Sequence, residues 1–159
     1  MAAACVLAGA QPADAATKVA PVKAAVTKPL TLTWVQNLDL GAVVLGPGAW
    51  SNAVVSVSQA GVLSCANANL TCTGMVQAAS YSVTGSNNEV VRISAPNVTL
   101  TNQSDPAQSL TLIVDSPGSV VIATSGKKGT TFSLGGSITL DSTVADGLYA
   151  GTFNVTVDY

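Results

Sequence analysis

The last eleven residues of the chain decide the fold: Tyr149-Ala-Gly-Thr-Phe-Asn-Val-Thr-Val-Asp-Tyr159. Aromatic, aliphatic or glycine residues occupy one set of alternate positions, and Ala, Thr, Asn and Asp occupy the other. Alternation with a period of two places each set on one face of an extended strand. The segment therefore predicts a strand that buries one face and continues to the final tyrosine.

The same alternation recurs through the preceding sequence in short runs separated by Gly, Pro, Asn and Ser. Clear examples are residues 30–34, 55–58, 80–84 and 110–114. No segment shows the apolar spacing of three and four residues that is typical of an amphipathic helix. The pattern predicts an all-β fold, an antiparallel β-sandwich. Within it, Gly135-Gly136 predicts a hairpin turn or a bulge.

The composition excludes several classes of function. The chain has 159 residues, no histidine, and 9% charged residues, against roughly 25% in a typical soluble domain. Without histidine there is no Ser-His-Asp triad and no imidazole metal site. A net charge of −2 offers no basic surface for nucleic acid, and no apolar run is long enough to span a membrane. We expect a protein that is not an enzyme and holds no metal or cofactor.

The N-terminal residues resemble the end of a secretory signal. Residues 1–15 are small and apolar, and Ala13-Asp-Ala15 matches a cleavage site. The positive first region of a signal is missing, so we interpret 1–15 as a truncated signal peptide. The alternative is a disordered alanine-rich tail. The signal interpretation predicts export through the periplasm to the cell surface or an extracellular fibre.

Two cysteines remain beyond the predicted signal. Cys65 and Cys72 enclose a short loop, which closes as a disulfide if the two residues lie on paired strands or a tight bend. Two cysteines without a histidine do not complete a structural zinc site. We predict a Cys65–Cys72 disulfide, which fits an oxidising compartment; the alternative is a pair of reduced thiols.

Residues 16–29 form a distinct basic segment, which we call the arm. It contains half of the six basic residues, and Pro21 and Pro29 disfavour a helix. Val22, Ala24 and Val26 share one face if the arm is extended. Such a segment adds to a sheet edge through backbone hydrogen bonds, so these three residues are candidate donor-strand positions. An unstructured linker is the equally weighted alternative.

Other motifs give weaker signals. Ser125-Gly-Lys-Lys-Gly129 fails the spacing of a phosphate-binding loop and is interpreted as a hairpin tip. The segment 141–147 lacks the dense oxygen ligands of a calcium loop and is interpreted as a turn. Trp50 follows a Gly-Pro-Gly loop; it is able to stack on a sugar, but packing at the end of the sandwich is the preferred interpretation.

Four segments together resemble one protein family. They are Leu38-Asp-Leu-Gly41, Tyr81-Ser-Val-Thr-Gly85, Leu134-Gly-Gly-Ser-Ile-Thr-Leu140 and the ending from Gly147 to Tyr159. They resemble the proteobacterial secreted domain of unknown function DUF4402, and the ending is also similar to spore-coat-U-type and other chaperone–usher pilin domains. The resemblance covers roughly residues 30–159. The cysteine pair between the first two strands of common pilins is absent.

The resemblance implies an immunoglobulin-like or pilin-like antiparallel β-sandwich over residues 30–159, preceded by the extended N-terminal arm. Chaperone–usher pilins lack the last strand of such a sandwich. A periplasmic chaperone lends a strand to such a subunit, and the arm of the next subunit replaces it after passage through an outer-membrane usher. The residues expected along the edges of the resulting groove are Leu30, Leu32, Trp34, Leu38 and Leu40 on one side and Phe153, Val155, Val157 and Tyr159 on the other. The last four are also the candidate chaperone contacts.

The sequence therefore predicts a structural subunit of a bacterial surface fibre or coat, joined by strand addition to copies of itself or to related subunits. The alternative is a monomeric secreted adhesin or carbohydrate-binding module with a complete sandwich. A purified protein that forms polymers or a chaperone complex distinguishes the first function from the second.

Overall fold

A computed structural model describes residues 17–124, 126 and 128–159; the predicted signal segment lies outside them. The described residues contain strands and no helix. In chain order the strands are β1 (Thr31–Gln36), β2 (Ala42–Leu45), β3 (Ala53–Val57), β4 (Leu63–Ser64), β5 (Leu70–Thr73), β6 (Ala79–Thr84), β7 (Val90–Ser94), β8 (Val98–Asn102), β9 (Ser109–Asp115), β10 (Ser119–Val121), β11 (Thr130–Leu140), β12 (Tyr149–Ala150) and β13 (Thr156–Asp158).

The strands form three sheets in two layers. One layer is an eight-stranded sheet of order β1-β6-β11-β9-β8-β12, with β3 paired to β11 and β4 paired to β3. The facing layer consists of a three-stranded sheet, β10-β7-β13, and a two-stranded sheet, β2-β5. Every strand pair is antiparallel. The prediction of an all-β antiparallel fold is confirmed.

Strand β11 joins the two ends of the large sheet. Its first part pairs with β6, from Thr130 to Leu134, and its last part pairs with β3, from Gly136 to Leu140. The hairpin turn predicted at Gly135-Gly136 is wrong, because both glycines lie inside this strand. The alternative of a bulge is not seen in the β11–β9 ladder, whose register runs without a shift from Gly135 to Ser137. A Cβ at Gly135 would lie 2.8 Å from the carbonyl carbon of Ser58, so the glycine permits a close approach of neighbouring backbone.

Two buried clusters fill the space between the layers. The first core lies between β6, β11 and β7 and consists of Ala79, Val83, Val91, Ile93, Ile122, Phe132 and Leu134. The second core lies between β3, β9, β11 and β5 and consists of Ala53, Val55, Leu70, Leu112, Ile138 and Leu140. The three-stranded sheet therefore covers the first core, and the two-stranded sheet covers the second.

The C-terminal residues do not form one continuous strand as predicted. Strand β12 pairs with β8 in the large sheet, whereas β13 pairs with β7 in the facing layer. Because the chain crosses between layers, residues 151–155 belong to neither ladder. The predicted alternation survives, since Phe153, Val155 and Val157 are half-buried while the residues between them are exposed.

The arm has no strand over its described residues, 17–29. Val19, Val22 and Val26 are each more than nine-tenths exposed, at 95%, 93% and 92%. These three apolar side chains are therefore solvated, and Val22 and Val26 have the same parity. The extended conformation of the arm and its role as a donor strand both stay predictions.

Candidate functional site

An apolar groove of about 1110 Å³ lies between two stretches of chain, residues 37–45 and residues 144–153. Strands β6, β8, β9 and β11 of the eight-stranded sheet contribute the rest of its lining, through Ala79, Tyr81, Leu100, Leu110, Leu112, Ile138 and Leu140. Leu112, Ile138 and Leu140 belong to the second core. The groove therefore opens directly onto the second core.

The first wall of the groove has little backbone support. After β1 ends at Gln36, one isolated bridge joins Asp39 to Gln77, with N–H···O distances of 2.9 and 3.0 Å. The Asp39 carboxylate accepts a hydrogen bond from the Gly41 amide at 2.8 Å, and Gly41 has a φ of 74°, which favours glycine. The chain then enters β2, whose ladder partner among the described strands is β5.

A disulfide ties this wall to the second core. Cys65 and Cys72 are bonded, with their Cα atoms 6.3 Å apart, as predicted. Cys72 lies in β5 opposite Val43 of β2, and both cysteines pack against the second core. A two-stranded sheet is only marginally stable by itself, so the crosslink and this packing hold the wall in place.

Buried Asn102 organises the second wall. Its side chain is 0% exposed; its Nδ2 donates to the carbonyl of Asp146 at 2.9 Å, and its Oδ1 accepts from the amides of Ser104 and Asp105 at 2.8 and 3.2 Å. A Cβ at Gly147 would lie 2.6 Å from this amide group, so glycine is required for the approach. The Asn102 side chain thus fixes the loop that leads into Tyr149.

Residues 151–153 complete the second wall, and residues 151–155 form no strand pairing with any described residue. Phe153 packs against both cores, which anchors the middle of this segment. Unpaired backbone N–H and C=O groups along an extended chain are the template for adding another strand. The groove therefore combines an apolar lining with a backbone edge.

The groove lacks the features of a catalytic or metal centre. Its charged lining residues, Asp39 and Asp146, are exposed. Burial raises the pKa of Tyr81, whose ring stacks on Phe132 at 5.7 Å, so its phenol stays protonated and neutral. Over the described residues, no three His, Cys, Asp or Glu side chains lie close enough together to hold a metal ion.

The predicted groove residues divide into three groups. Leu38, Leu40 and Phe153 line the groove. Leu30, Leu32, Val155 and Val157 pack against the first core instead. Trp34 is 59% exposed and lies opposite Tyr81 in the β1–β6 ladder, and Tyr159 is 44% exposed.

Sequence reasoning missed the groove residues that come from Tyr81, β8, β9 and the loop before Tyr149. The alternating pattern marked Tyr81, Leu110 and Leu112 as inward-facing, but nothing in that pattern identifies which inward-facing positions stay uncovered. This depends on where the chain crosses between layers, at 151–155, and on long-range pairing.

Two weaker motifs are also located. The Trp50 indole donates to the Gly46 carbonyl at 3.1 Å and packs against the second core, in line with the preferred packing interpretation. Asp141 accepts hydrogen bonds from the amide and hydroxyl of Thr143 at 2.8 and 2.6 Å, which lower the pKa of Asp141 and form a turn. Ser125 and Lys127 of the rejected phosphate loop lie outside the described residues.

Comparison with protein families gives one result. The model of the family described as Domain of unknown function (DUF4402) matches residues 30–159, and the chain belongs to this family. Neither the curated proteins nor the solved structures gave a match. Among the described residues, no helix is long and apolar enough to cross a membrane.

Proposed function

We propose that this DUF4402 member is a structural subunit of a bacterial surface fibre or coat, in which subunits are joined by strand addition. The observation that carries the proposal is the groove, because it exposes the second core beside an unpaired stretch of backbone at 151–155. A strand inserted there would bury apolar side chains and extend a ladder. The proposal assigns this chain no catalytic role.

The arm supplies a matching occupant for the groove. Its Val22, Ala24 and Val26 have one parity, and the two valines are almost fully exposed within their own chain. A segment that exposes alternate apolar residues gains by burying them at a groove on another molecule. We therefore propose copies of this chain or related subunits as partners.

Export is part of the proposal. The Cys65–Cys72 disulfide fits an oxidising compartment, and the predicted signal segment points the same way. If the groove is open before assembly, its apolar lining needs cover during export, which a periplasmic chaperone would provide by lending a strand, with an outer-membrane usher releasing the subunit to the surface.

Deleting residues 17–27 tests the proposal. We expect the full chain to form polymers by size-exclusion chromatography and negative-stain microscopy, and the deletion variant to remain a monomer or a chaperone complex. Polymers of normal length from the deletion variant would contradict the assignment of the arm. A stable monomer from the full chain, with or without its periplasmic partners, favours the alternative of a monomeric adhesin or carbohydrate-binding module.

A matched pair of arm variants separates insertion from a general charge effect. Val22→Asp places a carboxylate on the face proposed to enter the groove, and Thr27→Asp places the same charge on the opposite face. A buried unpaired carboxylate is strongly unfavourable, so the first variant should lose polymers while the second keeps them. Equal loss in both variants would contradict insertion by that face.

A further inference from the structure

A closed ring of three hydrogen bonds holds the base of the arm. The Lys28 amide donates to Ser86 Oγ at 2.7 Å, and the Ser86 amide donates to Tyr159 Oη at 2.7 Å. The Tyr159 hydroxyl in turn donates to the carbonyl oxygen of Lys28. The ring joins the arm, the β6–β7 connection and the C-terminal residue, and we call it the clamp.

Local packing is arranged around the clamp. Gly85 precedes Ser86, and a Cβ at Gly85 would lie 2.5 Å from Tyr159 Oη and 2.8 Å from side-chain atoms of Ile122 and Leu30. Only a residue without a side chain permits the tyrosine to reach this position. Tyr159, which the resemblance to pilins placed at the edge of the groove, therefore has its polar contacts at the arm instead.

The clamp lies at the opposite end of β6 from the groove. Ala79 and Tyr81 line the groove, whereas Thr84 pairs with Thr31 at the start of β1. From Ala79 to Gly85 the strand rises by about 20 Å. The eleven residues 17–27 reach up to about 36 Å when extended, so length alone does not prevent the arm from turning back into its own groove.

The sequence at the base of the arm favours such a reversal. Proline is preferred at the second position of a tight turn, which is closed by a hydrogen bond from the fourth residue's amide to the first residue's carbonyl. A turn centred on Pro29 would use the carbonyl of Lys28 as that acceptor. In the structure this carbonyl accepts from Tyr159, and the Lys28 amide is held by Ser86.

We infer that the clamp directs the arm away from its own groove, so that a second copy of the chain receives it. Tyr159 is thus a positioning residue that acts through Lys28. This inference rests on the proposed function for the identity of the receiver. The direction of the arm within one molecule is a separate property and is measured without polymers.

The direction of the arm can be measured as the distance between two spin labels. The labels are attached at Val22→Cys and Asn37→Cys in a full chain that also carries Cys5→Ser. If the arm folded back about Pro29, residues 22 and 37 would be neighbours. With labelled monomer diluted in unlabelled protein, we expect no short label-to-label distance for the otherwise native sequence. Tyr159→Phe, and independently Ser86→Ala, should each produce a short component, whereas Ser119→Ala on β10 should not.

Two results would overturn the inference. The first is a short distance between the two labels in the protein whose clamp residues are native. The second is a label-to-label distance distribution that neither Tyr159→Phe nor Ser86→Ala changes, although thermal unfolding shows that both variants are folded. Failure of the proposed function appears elsewhere, as a full chain that does not polymerise. In that case the label distances still decide whether the clamp aims the arm.

Discussion

The two cores of the sandwich are built from the same long strand but are covered differently. The three-stranded sheet β10-β7-β13 covers the first core, and its members include fully buried Val91, beside Ile122. The second core is covered by the two-stranded sheet β2-β5, and a groove reaches it between residues 37–45 and 144–153. Leu112, Ile138 and Leu140 of the second core line the groove, whereas Ala79 is the one buried residue of the first core that does so.

This difference shows that a groove can open onto a core whose side chains are nevertheless buried. Leu134 is 0% exposed in the first core, and Leu112 is 3% exposed in the second although it lines the groove. The first core provides stability to the free subunit, while the second combines buried side chains with an accessible surface. Under the proposed function, the first core serves stability and the second core serves assembly.

The largest expected effect compares leucines of the two cores. Leu134→Ala leaves a closed cavity and should lower the free energy of unfolding by about 4 kcal/mol, whereas Leu112→Ala enlarges an existing groove and should cost about 2 to 3 kcal/mol. Urea unfolding of both variants measures the difference. A larger loss in free energy of unfolding for Leu112→Ala than for Leu134→Ala would contradict this difference between the first core and the second core, which the groove opens.

Asn102 tests what shapes the groove's second wall. Asn102→Ala leaves the Asp146 carbonyl and the amides of Ser104 and Asp105 without their side-chain partner, and should cost about 2 to 3 kcal/mol. Amide exchange should rise around 144–149 and not in β7. Exposed Asn87→Ala is the control and should change neither measurement.

Removing the disulfide tests how the two-stranded sheet over the second core is held in place. Replacing Cys65 and Cys72 together by alanine should cost about 2 kcal/mol, as expected for a short closed loop. Because the disulfide supports β5 and its partner β2, the gain in amide exchange should be confined to these two strands. An equal loss of amide protection in the strands of both cores would show that the disulfide does not act on the second core alone.

The smallest effect concerns Asp141, beside the second core. Hydrogen bonds from Thr143 lower the pKa of Asp141 below its ordinary value of 3.8, so the carboxylate contributes stability that is present above the ordinary value and is lost as pH falls through the lowered pKa. The native chain should therefore have a higher free energy of unfolding than Asp141→Asn at neutral pH, and this difference should become smaller as pH falls below 3.8. A gap that does not change with pH would contradict the assignment.

The sequence predicted those parts of the fold that depend on local alternation. It predicted the all-β class, the Cys65–Cys72 disulfide and the buried parity of Phe153, Val155 and Val157, and all three are confirmed. It did not predict that Gly135-Gly136 lies inside β11, because glycines serve turns and close strand approaches alike.

The groove was predicted only in part, for a related reason. Leu38, Leu40 and Phe153 line it. Leu30 has the parity of Leu38, and Val157 has the parity of Phe153, yet both pack against the first core. Parity assigns a side chain to the inner face and says nothing about how far along the sandwich the opposite layer extends. That extent follows from the crossing at 151–155, which depends on long-range pairing.

The most direct test of strand addition is amide hydrogen exchange of residues 151–155 in monomers and in assembled polymers. The account predicts fast exchange in the monomer and strong protection in the polymer, with the amides of β7 protected in both. Polymers in which residues 151–155 still exchange as fast as in the monomer would show that subunits join through another surface.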